Sequence, residues 1–178
     1  AYEITYGDWS SDVCSSDLAC AMVSRMRHRG LVVDCFKATG VSLRRDILAM
    51  EDAGARNSII FTDLGIITTT RAVGPALTRT MITEISAKKP DVIVFELGDG
   101  ILGTYGVDSI LECDDIRKAL TGVVLSANDP VAAWGGVKLL RERFGIEPCA
   151  VTGPATDNAV GVDIIKEQMK VEIGRAHV

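Results

Sequence analysis

The fold is decided by Asp91-Val92-Ile93-Val94-Phe95-Glu96-Leu97-Gly98-Asp99-Gly100, residues 91–100 of the chain. The apolar residues in this stretch do not alternate with polar ones, which is typical of a strand buried on both faces, as in a parallel sheet. Similar runs predict four further strands, at residues 31–36, 58–62, 122–126 and 149–152.

Helical patterns lie between these predicted strands. In residues 73–88, apolar side chains recur at a spacing of four, and the pattern stops at Pro90. Further helices are predicted at 19–29, 42–53, 108–120, 130–144 and 157–169. Strands that alternate with helices indicate βαβ units. We therefore expect an α/β fold, a mostly parallel sheet of about five strands with helices on both faces.

Composition excludes several classes of protein. Of the 178 residues, 47% are hydrophobic and 24% are charged, which rules out a disordered chain. No apolar stretch approaches the roughly 20 residues of a membrane-spanning helix, so we expect no membrane partner. A net charge of −5 and an aromatic content of 5% argue against a nucleic-acid partner. Cysteines without short spacings favour buried thiols and a cytoplasmic protein.

Both ends of the chain look non-biological. Residues 172–178 can be encoded by DNA whose reverse complement encodes residues 12–18, and proteins have no physical reason for such a repeat. These strings resemble a translated sequencing adapter, as in a metagenomic gene fragment. We therefore expect 1–18 and 172–178 to be non-native and to carry no fold, which leaves 19–171 as the domain. Its net charge is −1, from 18 basic and 19 acidic residues.

Polar residues and glycines follow the predicted strands. Because ligand sites of parallel sheets lie beyond the carboxyl ends of the strands, these residues should converge at one edge. Lysine binds phosphate, carboxylates bind magnesium, and glycines let backbone N–H groups approach a ligand. The candidates are Lys37, Thr39 and Gly40 after the first run, Asp63 after the second, Glu96, Gly98 and Gly100 in and after the third, and Thr152 and Gly153 at the end of the fifth.

Lys37 and Glu96 stand out because each charge directly extends an apolar strand, where it needs a partner or a function. By contrast, we interpret Asp99, between two glycines, as a turn residue. The residues 68–71 are interpreted as a solvated loop.

Two segments resemble a known family. Phe36-Lys37-Ala38-Thr39-Gly40 resembles the Phe-Lys-Pro…Thr-Gly segment of dethiobiotin synthetase, and Glu96-Leu97-Gly98-Asp99-Gly100 is similar to its Glu-Gly-Ala-Gly-Gly element. That enzyme belongs to the SIMIBI class of P-loop NTPases. The chain departs from the pattern at Ala38, Leu97 and Asp99, and it has no G-x-x-x-x-G-K-[ST] motif. We expect that the first strand and the phosphate loop preceded residue 19 and were lost.

The resemblance implies a parent enzyme that uses ATP and Mg²⁺ to transfer a phosphoryl group to a small-molecule acceptor such as a carboxylate, followed by ligation. It implies magnesium ligation by Asp63 and Glu96, and charge stabilisation by Lys37. It further implies nucleotide or substrate contacts for Thr39, Gly40, Gly98 and Gly100, and a place near the base for Thr152 and Gly153. The chain as given would be inactive without its phosphate loop, and a homo-oligomer remains open.

Two alternatives compete with this ligase or kinase-like enzyme. One is a nucleotide-driven switch of the ParA/MinD type, which would need a surface for its partner. The other is a Rossmann-like binding domain without a P-loop. Residues 98–103 match G-x-G-x-x-G in letters only, because the helix that they would open is predicted to start several residues too late.

Overall fold

The structure, a computed structural model, describes residues 2–7 and 15–174. Its strands are β1 (Tyr2–Gly7), β2 (Val33–Lys37), β3 (Ser58–Ile60), β4 (Val92–Leu97), β5 (Leu120–Ser126), β6 (Ala150–Thr152) and β7 (Glu172–Ile173). They form one sheet in the order β3-β2-β4-β1-β5-β6-β7, and all six pairings are parallel. The predicted α/β class with a parallel sheet is confirmed, with seven strands instead of about five.

Helices connect these strands: α1 (Ser15–His28), α2 (Arg44–Asp52), α3 (Gly74–Ser86), α4 (Val107–Leu111), α5 (Asp114–Ala119), α6 (Pro130–Phe144) and α7 (Ala159–Ile164), which continues as a π-helical turn, Ile165–Met169. The single helix predicted at 108–120 is two helices, because the extended backbone of Cys113 separates them. No helix in the described part of the chain has the length and apolar character needed to cross a membrane.

The central strand β4 is buried on both faces, as its uninterrupted apolar sequence predicts. Ile93, Phe95 and Leu97 point into the larger apolar core, which also holds residues of α3, α4 and α6. Val92 and Val94 point to the opposite face, into a smaller core with Ala19 and Val23 of α1. Alternate residues of one strand therefore support two separate helical layers.

The expectation that the two end segments carry no fold is wrong for the residues that the structure describes. Tyr2–Gly7 is a central strand between β4 and β5, and Ser15 starts α1. Glu172–Ile173 pairs with β6 as β7. Residues 1, 8–14 and 175–178 lie outside the described residues, and the origin of both end segments stays a prediction.

The physical reason for β1 lies in the backbone of its neighbours. Without it, the facing edges of β4 and β5 would keep unpaired N–H and C=O groups inside the sheet, which is costly. Residues 2–7 include Tyr, Ile and Thr, which favour strands. Ile4 pairs with Phe95 on one side and with Val123 on the other. The first strand expected to be missing thus has a counterpart at the start of this chain.

Two adjacent glycines lie inside α6, a helix that begins at the Asp129 cap and ends at the left-handed Gly145. A Cβ on Gly135 would meet no atom within 4 Å, whereas a Cβ on Gly136 would lie 2.7 Å from Leu125 Cδ2. Glycine inside a helix costs about 0.5–1 kcal/mol relative to alanine. Alanine at Gly135 would therefore change helix propensity alone, whereas alanine at Gly136 would also change the packing against Leu125.

We predict that Gly135→Ala raises the free energy of unfolding by about 0.5–1 kcal/mol, because it adds helix propensity without a clash. Gly136→Ala should gain less or lose stability, because its methyl group would press against buried Leu125. Urea unfolding followed by circular dichroism measures both variants. Equal gains at the two positions would contradict the packing described for α6.

Candidate functional site

A buried group of charges, the ion cluster of Lys37, Asp46 and Glu96, lies at the carboxyl ends of β2 and β4. Lys37 and Glu96 are partners in the parallel register of these strands. Lys37 Nζ lies 2.5 Å from Asp46 Oδ2 on α2 and 3.9 Å from Glu96 Oε1. All three side chains are buried. Lys37 therefore has two carboxylate partners, which compensate the charge that it places at the end of an apolar strand.

The ion cluster keeps its lysine charged. Burial alone lowers the pKa of Lys37, but the neighbouring carboxylates of Glu96 and Asp46 outweigh it, so the pKa is raised above its usual value. Burial also raises the pKa of the Cys20 thiol on α1 to about 11, with smaller contributions from Asp17 and Glu96. Cys20 is therefore a protonated thiol at neutral pH and not a nucleophile.

Three loops meet beside the ion cluster. The Thr39 hydroxyl donates a hydrogen bond to the Gly98 carbonyl at 2.9 Å, and the Gly40 N–H donates one to Thr69 Oγ1 at 2.9 Å. Gly40 has a φ of 108°, and a Cβ at this position would overlap the Asp99 carboxylate. Only glycine fits such a close approach.

The structure brings five of the predicted site residues together: Lys37, Thr39, Gly40, Glu96 and Gly98. Gly100 follows directly in the same loop, with a φ of 85°. These residues occupy the carboxyl ends of β2 and β4, as predicted. Their roles toward a nucleotide stay predictions.

Three predicted site residues lie away from the ion cluster: Asp63, Thr152 and Gly153. Asp63 accepts hydrogen bonds from Arg44 at 3.0 Å and from the Ile60 N–H at 3.1 Å. The Thr152 carbonyl accepts from the Ala127 N–H at 2.9 Å, and β1 and β5 separate this end of β6 from β4. These residues lie along the same edge of the sheet but do not contact the ion cluster.

Sequence reasoning missed three residues of the site. Asp46 lies one helical turn before buried Met50 on α2. A charged residue on the apolar face of a predicted helix could have identified it as a candidate. Thr69 was assigned to a solvated loop, yet its side chain is buried and accepts from Gly40. Asp99 was assigned to a turn, and its φ of 69° agrees with that, but its carboxylate also faces Gly40. No local pattern signals the last two contacts.

The described side chains of the site carry more negative than positive charge. Asp99, Asp46 and Glu96 supply three carboxylates against the single ammonium of Lys37. Burial raises the pKa of Asp99, and Lys37 offsets this only in part. Among the described residues, no group of three or more His, Cys, Asp or Glu side chains is arranged to hold a metal ion.

We predict that Asp99→Asn stabilises the fold at neutral pH. A carboxyl whose pKa is raised on folding disfavours the folded state above that pKa, and acidification through the folded pKa removes this penalty. Asparagine keeps the shape and tolerates a positive φ. Thermal unfolding should therefore show a higher Tm for the variant at pH 7, with a gap that narrows as the pH falls.

Asp115→Asn is the matched control, because Arg79 holds the pKa of Asp115 at about 2, below its usual value. A lowered pKa stabilises the folded state above the unfolded pKa, so the sign reverses and this variant should not gain stability at pH 7. A gain of equal size in both variants would show that a general charge effect, and not the burial of Asp99, is responsible.

We further predict that Lys37→Met lowers the free energy of unfolding by about 3 kcal/mol or more, because it removes the ammonium group that two buried carboxylates, Asp46 and Glu96, share. Lys138→Met, which removes an exposed lysine 3.9 Å from Glu142, should change stability by less than about 0.5 kcal/mol. Denaturant unfolding at pH 7 measures both. A loss below about 1 kcal/mol for Lys37→Met would contradict the ion cluster.

No protein-family model matches the chain, and neither does any curated protein sequence. Solved structures do match. The signal recognition particle receptor FtsY from Elizabethkingia anophelis, in complex with GDP, has a TM-score of 0.67 and 13% identity over 97% of this chain and 55% of its own. FtsY from Thermotoga maritima has a TM-score of 0.64 and 13% identity over 97% of this chain and 60% of its own.

A third match is the signal recognition particle 54 kDa protein from Aeropyrum pernix K1, in complex with GDP. Its TM-score is 0.62, with 11% identity over 97% of this chain and 40% of its own. The chain thus spans about half the length of these proteins. At this identity the likeness shows the fold alone. The chain therefore shares the α/β fold of these proteins.

Proposed function

We propose that the domain binds a purine nucleotide at the carboxyl edge of its sheet and acts as a nucleotide-dependent switch. The GDP complexes of two structural neighbours support the nucleotide. The strand order supports its position, because the connection from β1 to α1 starts beside the carboxyl end of β4. In P-loop proteins this connection carries the phosphate loop.

One observation favours a switch over the ligase: loop 68–71 connects the candidate site to the start of helix α4. Loop 68–71 contacts Gly40 through Thr69. At its other end, Arg71 forms an ion pair with Asp108 of α4. A ligand that displaces Gly40 would therefore shift the start of α4, which is the kind of coupled movement that a switch requires. None of the three neighbours is a ligase by name.

The Rossmann-like alternative has a different topology. In the Rossmann order the first two strands are neighbours, whereas here β4 lies between β2 and β1. For magnesium, the carboxylate of Glu96 is a suitable hard ligand that already belongs to the ion cluster with Lys37, and Asp63 is engaged by Arg44. The ion would neutralise phosphate charge, and Glu96 is the side chain that we propose to hold it together with the nucleotide.

The test uses the length of the β1–α1 connection. The seven residues 8–14 and Gly7, the last residue of β1, together make eight positions, the length of G-x-x-x-x-G-K-[ST], and Gly7 already supplies the first glycine. The triple variant Asp12→Gly, Val13→Lys and Cys14→Thr completes the motif. Its lysine would add a charge-assisted contact to phosphate.

Calorimetry with GTP and with ATP, each with Mg²⁺, compares the starting chain with the triple variant. We expect weak binding by the starting chain, which lacks the loop lysine, and affinity at least about tenfold higher in the triple variant. The matched control carries Val13→Ala in place of Val13→Lys. No gain over this control for either nucleotide would overturn the nucleotide proposal, and the ratio of the two affinities identifies the base.

The switch has a separate readout in the triple variant. Amide hydrogen exchange in residues 68–71 and 98–106 should slow when nucleotide binds, because both loops contact the site. Asp108→Asn should reduce the protection of α4 but not the affinity, since it weakens the contact with Arg71 outside the nucleotide site. Nucleotide binding without any change in either loop would contradict the switch.

A further inference from the structure

A cavity in the described part of the chain lies between residues 99–105, the carboxyl end of β5 and α6. Its volume is about 530 Å³, within the usual range of small-molecule sites. The walls are mostly apolar, with Ile101, Leu102, Leu125 and Leu139 among them. The ion cluster does not line it.

Two glycines of helix α6 leave room for this cavity because they have no side chains. Gly135 and Gly136 both line it, and no atom lies within 4 Å of where a Gly135 side chain would begin. Glycine weakens a helix relative to alanine, so both residues lower the intrinsic stability of α6. Packing against Leu125 accounts for Gly136, but it does not account for Gly135.

Asp99 gives the cavity one charged anchor. No described residue donates a hydrogen bond to its carboxylate, and the nearby Lys37 ammonium is already engaged by Asp46 at 2.5 Å. The carboxylate also lies against Gly40 and is attracted by Lys37, and a cationic group in the cavity would supply the hydrogen-bond donor that no described residue provides. The remaining polar groups of the lining, such as Ser126 and Thr104, carry no charge.

We propose that this cavity binds a small organic amine with an apolar body, with the ammonium group on Asp99 and the body against Gly135 and the leucines. The ammonium donates a charge-assisted hydrogen bond to a half-buried carboxylate, and the body removes apolar surface from water. The site does not require the proposed nucleotide site and can be tested without nucleotide.

The probe is phenethylamine, titrated into the ¹⁵N-labelled chain up to about 10 mM, a range suited to a ligand of nine heavy atoms. We expect saturable shifts of amide signals from residues 99–105 and 132–139. 3-Phenylpropionate, which has a similar body and the opposite charge, should give none, and ammonium chloride tests whether a cation suffices. Equal binding of all three probes, or no saturable shift with phenethylamine, would overturn the proposal.

Two variants locate the ligand. Asp99→Asn should weaken phenethylamine binding at least about tenfold, because it removes the charge and keeps the shape. Gly135→Leu should abolish binding by filling the cavity, and Glu142→Leu, which adds a leucine to an exposed position of α6 outside it, should leave the affinity unchanged. Gly135→Ala, which only narrows the cavity, should weaken binding if Gly135→Leu does not fold. Undiminished binding by both Gly135 variants would place the ligand elsewhere and refute the proposal.

Discussion

The structure depends on the pairing of β4 with strands on both of its sides. A strand in the middle of a parallel sheet must satisfy every backbone N–H and C=O group through its neighbours, and must bury side chains on two faces. Val94 and Phe95 show the second requirement, because successive residues enter different cores. Once β4 is fixed, the register with β2 brings Glu96 beside Lys37. The position of the site follows from the register of the sheet.

The fold class could be predicted because its signal is local. The apolar runs around residues 31–36 and 91–97 identify buried strands without any knowledge of their partners. The strand formed by Tyr2–Gly7 was not predicted, because the apparent DNA origin of that segment outweighed its content of strand-favouring residues. A segment can pair as a strand whatever its origin, since the hydrogen bonds of a sheet are formed by backbone groups that every residue except proline carries.

The candidate site could be predicted only in part, and for a similar reason. Lys37 and Glu96 were found because a charge that extends an apolar strand is costly unless it is compensated. Asp46 and Thr69 were missed because their contacts join residues that lie 9 and 29 positions apart in the chain. Such contacts depend on how helices and loops pack over the sheet, which a single sequence does not encode in any short pattern.

The two strands at the ends of the described sheet are short: β3 has three residues and β7 has two. An open sheet edge is a template on which another polypeptide can add a strand, and long flat edges promote the growth of fibrils. Here each edge offers a foreign strand only a few backbone hydrogen bonds, although six further strands of the described sheet lie behind it. The short edge strands therefore limit how strongly another polypeptide could pair with the described sheet.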